Sequence, residues 1–164
     1  MARLFFALWP DEAAARGLQR LAVEVAVRTQ GKPVPRSKIH LTLAFLGEVA
    51  GRIAFEPEAI ATPAFDLVLD CVGSFAGTRV AWAGFVEPPP ALANLQAQLA
   101  RELRGQGLRL EDRPFAPHLT LVRHIGAAQP REAIHPIDWR VREVVLVKSQ
   151  AGRYSAVNAW PLPA

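Results

Sequence analysis

The tetrapeptide His-Leu-Thr-Leu occurs twice, at residues 40–43 and 118–121, a separation of 78 in a chain of 164. With four histidines and few threonines, composition alone would supply about 0.1 His-x-Thr pattern. Two copies with the same leucine fillers point to internal duplication. Side chains alternate along an extended strand, so His40 and Thr42 share one face while Leu41, Leu43 and Phe45 take the other. His118 and Thr120 stand likewise against Leu119 and Leu121. If a pseudo-twofold axis relates the two halves, two imidazoles and two hydroxyls converge on one groove. That set suits cleavage of a phosphodiester by water, which needs one base for the water proton and one acid for the departing alkoxide. Histidine, with an ordinary pKa of about 6.5, fills either role near neutrality. Threonine hydroxyls and arginines can hold the non-bridging oxygens. Such a scheme calls for no metal and no cofactor.

The elements that position these residues follow from pattern. Arg3 to Trp9 is a short apolar run closed by Pro10 and reads as a buried strand. Asp11 to Arg28 reads as a helix ended by Gly31 and Pro33, with Leu18, Leu21 and Val25 on one face. A loop over 31–37 leads to the strand Lys38 to Leu46. Between Glu48 and Pro63 the prolines at 57 and 63 interrupt any long helix. Phe65 to Val72 and Arg79 to Phe85 are strands about a turn at Gly73–Gly77. A helix opens at Pro88–Pro90 with the stripe Leu92, Leu95, Leu99 and Leu103. His118 to His124 and Trp139 to Lys148 are the next strands, and a hairpin at Ala151–Gly152 returns as Arg153 to Trp160. Each motif strand thus follows a helix, which Leu41 and Leu43, or Leu119 and Leu121, are expected to face. The whole chain, 1–164, reads as one internally duplicated unit.

Half of the residues, 51%, are apolar, which excludes intrinsic disorder. The longest uncharged run, residues 88–100, is shorter than the ~20 residues a membrane helix needs. The N-terminal apolar run of six residues is short for a signal peptide. Net charge is +4, with Lys only at 32, 38 and 148, so most of the cations are Arg, the better bidentate partner for phosphate. The single Cys71 excludes an internal disulfide framework and fits a reducing, cytoplasmic setting. It alternates with Leu67 and Leu69 and reads as core. Zinc-ligand spacings and Walker or dinucleotide glycine fingerprints are absent from the sequence. His124 reads as a strand-end residue and His135 as a loop residue. Tyr154, Trp160, Phe75 and Trp82 are candidates to stack on a base, though core packing serves each equally well; Tyr154 leads and Phe45 is a further nucleotide-binding candidate. Arg36 and Lys38 stand just upstream of the first motif, where RNA phosphate or solvent would suit them.

The segments His40-Leu-Thr-Leu-Ala-Phe-Leu-Gly47 and Pro117-His-Leu-Thr-Leu-Val-Arg123 resemble the paired motifs of the two-histidine phosphoesterases. Within these the chain is most similar to the bacterial RNA 2′,3′-cyclic phosphodiesterases, also called 2′-5′ RNA ligases. Arg3-Leu-Phe-Phe-Ala7, Phe115-Ala-Pro-His118 and the ending Gly152-Arg-Tyr154 to Trp160-Pro-Leu162 extend the likeness over nearly the whole chain. The resemblance implies an α+β fold of two pseudo-symmetric lobes, with antiparallel sheets lining a central cleft and helices outside. It implies metal-independent opening of a terminal RNA 2′,3′-cyclic phosphate to a 2′-phosphate by a monomeric enzyme acting on RNA ends or nucleotide 2′,3′-cyclic phosphates. By position His40 and His118 are the catalytic pair, His40 the proton donor to the 3′-oxygen and His118 the base for water. Thr42, Thr120 and Arg123 hold the phosphate. Arg123 has the parity of Leu119 and Leu121, so it reaches the cleft only if the strand ends or bulges near Val122. The alternatives are the reverse joining of ends to a 2′-5′ bond, or a nucleotide-binding module without turnover.

Overall fold

The structure, a computed structural model, describes residues 2–49, 53 and 60–164. Its strands are β1 (Arg3–Leu8), β2 (Lys32–Pro33), β3 (Leu41–Glu48), β4 (Phe65–Phe75), β5 (Val80–Gly84), β6 (Leu119–Arg123), β7 (Glu132–Val141), β8 (Glu143–Gln150) and β9 (Arg153–Pro161). Among the described residues the helices are α1 (Glu12–Thr29) and α2 (Pro90–Gly105), with a 3-10 turn at Arg36–Lys38. Most of the Glu48–Pro63 stretch, where the sequence argues against a long helix, lies outside the described residues.

The strands form one open antiparallel sheet in the order β7-β4-β5-β6-β3-β1-β8-β9, with β2 added to β6. The two halves meet where the motif strands pair, at Leu41 and Leu119. Those residues are themselves 78 apart, and so are the first residues of α1 and α2, Glu12 and Pro90. The order is therefore symmetric about the β3–β6 seam: β1 flanks β3 as β5 flanks β6, and β8 lies beyond β1 as β4 lies beyond β5. The fold is α+β, built of two pseudo-equivalent halves.

Local chemistry explains the elements. Asp11 caps α1, its carboxylate accepting the Ala14 N–H at 2.8 Å. Pro90 starts α2, where a missing N–H costs nothing. The α2 stripe Leu92, Leu95, Leu99 and Leu103 is fully buried, and burying a leucine side chain contributes about 1.5–3 kcal/mol. The final hairpin turns on Ala151 and Gly152, both at positive φ (52° and 74°), as a tight type I′ connection requires.

The helices do not lie over the strands expected of them. α1 packs against β6 and β7, and α2 packs on β3, so each half's helix covers the other half's motif strand. The Gln96 amide on α2 donates to the Leu43 carbonyl at 3.3 Å. At the end of α1 the Thr29 carbonyl accepts from Gly126 and Ala127, just past β6. Gly31 lies so close to β6 that an added Cβ would collide with Val122. An amphipathic stripe specifies that a helix rests on a sheet, not over which strand.

A second correction concerns Trp139 to Lys148. It is two strands, β7 and β8, meeting at Arg142 and pairing with β4 and β1 respectively. β7 begins at Glu132 and takes in His135 and Pro136, which the sequence placed in a loop. An edge strand tolerates proline because its outward N–H groups have no ladder to join. Short β2 likewise falls inside the expected 31–37 loop, and β4 runs on to Phe75.

Candidate active site

The Leu41–Leu119 pairing, extended by one residue each way, sets His40 across from Thr120 and Thr42 across from His118. Cross-strand neighbours stand about 4.5–5.5 Å apart at Cβ, so the register alone gathers both motifs. Beyond this point both strands break their alternation. Against β1, Ala44 pairs with Phe6 and Thr42 with Ala7, leaving Leu43 as an extra residue. Against β5, Val122 pairs with Ala81 and Thr120 with Trp82, leaving Leu121 extra. The two bulges are 78 residues apart and so occupy equivalent positions.

Each bulge buries two successive apolar side chains, Leu43 with Ala44 and Leu121 with Val122. The next residue then returns to the threonine face. Phe45, assigned by strict alternation to the core face, is 46% exposed and lines the cleft. Val122, which strict alternation puts on the polar face, is buried. Arg123 meets the bulge condition and enters the cleft.

Phe5, Val34 and Lys38 complete, with His40, Thr42, Phe45, His118, Thr120, Arg123 and Tyr154, the lining of one cavity of about 180 Å³. At about 30 Å³ per water that is roughly six waters, the scale of a phosphate with part of its sugar. Among the described residues the lining holds two imidazoles, a guanidinium and an ammonium but no carboxylate, so it favours an anion.

Both imidazoles are held through the same nitrogen. His40 Nδ1 lies 2.7 Å from the Lys38 carbonyl and His118 Nδ1 lies 2.8 Å from the Ala116 carbonyl. A carbonyl only accepts, so each Nδ1 carries a proton and each Nε2 is the nitrogen that can take or give one. His40 Nε2 is 3.1 Å from Thr42 Oγ1, a hydroxyl able to donate to a neutral ring or accept from a charged one.

The surroundings of the two rings differ. His40 stacks on Trp9 (4.7 Å between centroids) and on Phe5 (5.0 Å), with Tyr154 edge-on at 5.6 Å. Burial in this aromatic box lowers the His40 pKa below the ordinary histidine value. The bond to the Lys38 carbonyl opposes the shift, while the positive charges of Arg123 and His118 add to it. Among the described residues the one aromatic neighbour of His118 is Phe75, edge-on at 5.1 Å.

Lys38 sits over the Tyr154 ring, 5.3 Å from its centroid, and donates to the Gly152 carbonyl, fastening the final hairpin to the 3-10 turn. Trp160 is buried against Phe6, and Trp82 lies behind Phe75 beneath Arg131; neither lines the cavity. His124 is exposed at the end of β6, and exposed His135 borders a separate groove beside α1. Cys71 is buried. Among the described residues no three His, Cys, Asp or Glu side chains gather as a metal ligand set, and no helix is long and apolar enough to cross a membrane. Phe5 and Trp9 were not singled out from sequence, although the parity of β1 carries them: Phe5, Ala7 and Trp9 alternate onto the face whose neighbour is Thr42.

Comparison with known proteins gives concordant matches. A model of the 2′-5′ RNA ligase superfamily matches residues 9–153. The RNA 2′,3′-cyclic phosphodiesterase of Escherichia coli K12 is 36% identical, the alignment covering 98% of this chain and 96% of that protein. The crystal structure of E. coli LigT in apo form superposes with a TM-score of 0.81 at 30% identity, covering 100% of this chain and 99% of the other. LigT complexed with 3′-AMP gives a TM-score of 0.75 at 31% identity, covering 99% and 98%.

Proposed function

The chain belongs to the 2′-5′ RNA ligase superfamily, and from that premise we propose that it hydrolyses the terminal 2′,3′-cyclic phosphate of RNA to a 2′-phosphate. The observation that carries this reading is the pairing of two Nδ1-anchored imidazoles in one carboxylate-free cavity. In the proposed reaction His118 Nε2 takes a proton from water as the water oxygen attacks phosphorus. The P–O3′ bond breaks, and His40 Nε2–H delivers its proton to the 3′-oxygen. One water is consumed and the proton count of the pair is conserved. Thr42, Thr120 and Arg123 hold the non-bridging oxygens, where negative charge gathers in the transition state.

Because the His40 pKa is lowered, its donor role depends on the bound phosphodiester to charge the ring. In the empty cleft burial favours the neutral ring. A phosphodiester anion about 4 Å away contributes about 4 kcal/mol at an effective dielectric of 20, which favours the protonated ring once substrate is bound. Phe45 and Tyr154, at the cavity wall, are the proposed contacts for the sugar and base. The cytoplasm and a monomeric state are part of the same reading.

The test is incubation of the protein, without added metal, with an oligonucleotide ending in a 2′,3′-cyclic phosphate. The expected product carries a 2′-phosphate, and His118→Ala binds the product nucleotide while losing turnover. Substrate left intact by the wild type, or a 3′-phosphate product, overturns the proposal.

A further inference from the structure

Beside the catalytic cavity runs a second groove of about 320 Å³ that shares Val34, Lys38, Arg123 and Tyr154 with it and adds Lys32 and His124. The groove exists because β2 pairs with β6 exactly where the motif strand ends: Lys32 lies opposite Arg123 and Pro33 opposite Val122. His124 follows with φ at +57°, a left-handed turn that ends the strand at the groove. Lys32, Lys38 and Arg123 therefore stand together, and none of the three is in an ion pair among the described residues. Among the described residues no carboxylate lines this groove. Arg123 and Lys38 form the wall common to both compartments, so an anion in the second is next in line to an anion in the first.

We propose that this groove binds the phosphate on the 5′ side of the terminal nucleotide, and so makes the protein select polynucleotide ends over free cyclic mononucleotides. The inference rests on the cyclic phosphate occupying the neighbouring cavity. The chemistry required is a second phosphoryl anion linked through a ribose to the reacting one, which a nucleic acid end supplies and a bare nucleoside cyclic phosphate does not. Lys32 and His124 supply the contacts peculiar to this groove.

The experiment compares adenosine 2′,3′-cyclic phosphate with and without a 5′-phosphate, two probes with the same base and the same reacting end. A hydrogen bond to a charged group contributes about 1.5–3 kcal/mol, so the 5′-phosphate is expected to raise kcat/KM about tenfold or more. In the Lys32→Gln/His124→Asn variant that gain disappears while the bare nucleotide is opened as fast as by wild type. Asparagine is chosen because it accepts the left-handed backbone at 124. A gain of less than twofold in the wild type, or equal losses for both probes in the variant, overturns the inference. Equilibrium binding of adenosine 2′-phosphate against adenosine 2′,5′-bisphosphate asks the same question without turnover. If neither cyclic probe is hydrolysed but the bisphosphate binds tighter and loses that advantage in the variant, the groove stands and the hydrolytic reading falls. If the two bind alike, the groove falls.

Discussion

Replacing Arg123 with glutamine tests the bulge on β6 and the chemistry together. The guanidinium lines the cleft, forms no ion pair among the described residues, and is one of the charges that depress the His40 pKa. Removing it should have two effects of opposite sense. Transition-state stabilisation falls by the value of a charge-assisted hydrogen bond, about 1.5–3 kcal/mol, which is about a 10- to 150-fold loss in kcat/KM. At the same time the His40 pKa rises, because one repelling positive charge has gone. Arg123→Lys separates charge from geometry: an ammonium keeps the repulsion and leaves His40 depressed, yet loses the planar fork and with it part of the rate. Since Arg123 is exposed and unpaired, stability should stay within about 0.5 kcal/mol of wild type. The assays are hydrolysis of a 2′,3′-cyclic nucleotide and titration of the His40 ring by proton–carbon NMR. A loss under threefold with an unmoved His40 titration would put the side chain outside the cleft and refute the bulge argument.

Other outcomes follow from the same geometry. His118→Ala should lower kcat about 10²- to 10⁴-fold, and the His40→Ala/His118→Ala double variant should be little worse than either single one, because the pair acts as a unit; multiplicative losses in steady-state assays would contradict this. The dependence of kcat/KM on pH should be bell-shaped, and EDTA should leave the rate unchanged; a monotonic rise from pH 5 to 9 would count against two imidazoles. The His40 pKa is lowered in the folded chain, so the unfolded chain binds the extra proton first as pH falls. Stability from this group is therefore complete above about pH 6.5 and declines as pH drops below it, which urea midpoints at several pH values will show and which His40→Gln should flatten. Gly73→Ala places a Cβ within 3.0 Å of the Trp82 ring and should cost about 1–3 kcal/mol by overpacking, read as a fall in Tm.

The paired motifs were legible because strand alternation has a period of two and the duplication repeats it with the same fillers. The bulges were only half legible. Leu43-Ala44 and Leu121-Val122 each put two apolar residues where alternation asks for one, and the tertiary pairing decides that both are buried. Parity accordingly misplaced Phe45 and Val122 but named the condition under which Arg123 turns inward. The crossed helices left no local trace, since the stripe on α1 is the same whichever strand it covers. β7 was hidden by its edge position: Glu132 to Asp138 is largely exposed, so hydrophobic periodicity had little to report. The aromatic box was missed because Phe5 and Trp9 belong to a run that is apolar on both faces.

The exchange of helices between the halves bears on how the protein handles its ligand. Prising the two imidazoles apart would strip α1 from β6 and α2 from β3 at once, exposing leucines on both sides of the seam. The spacing of the rings is thus tied to the same contacts that bury the core. Neither half, severed from the other, would keep its own motif strand roofed.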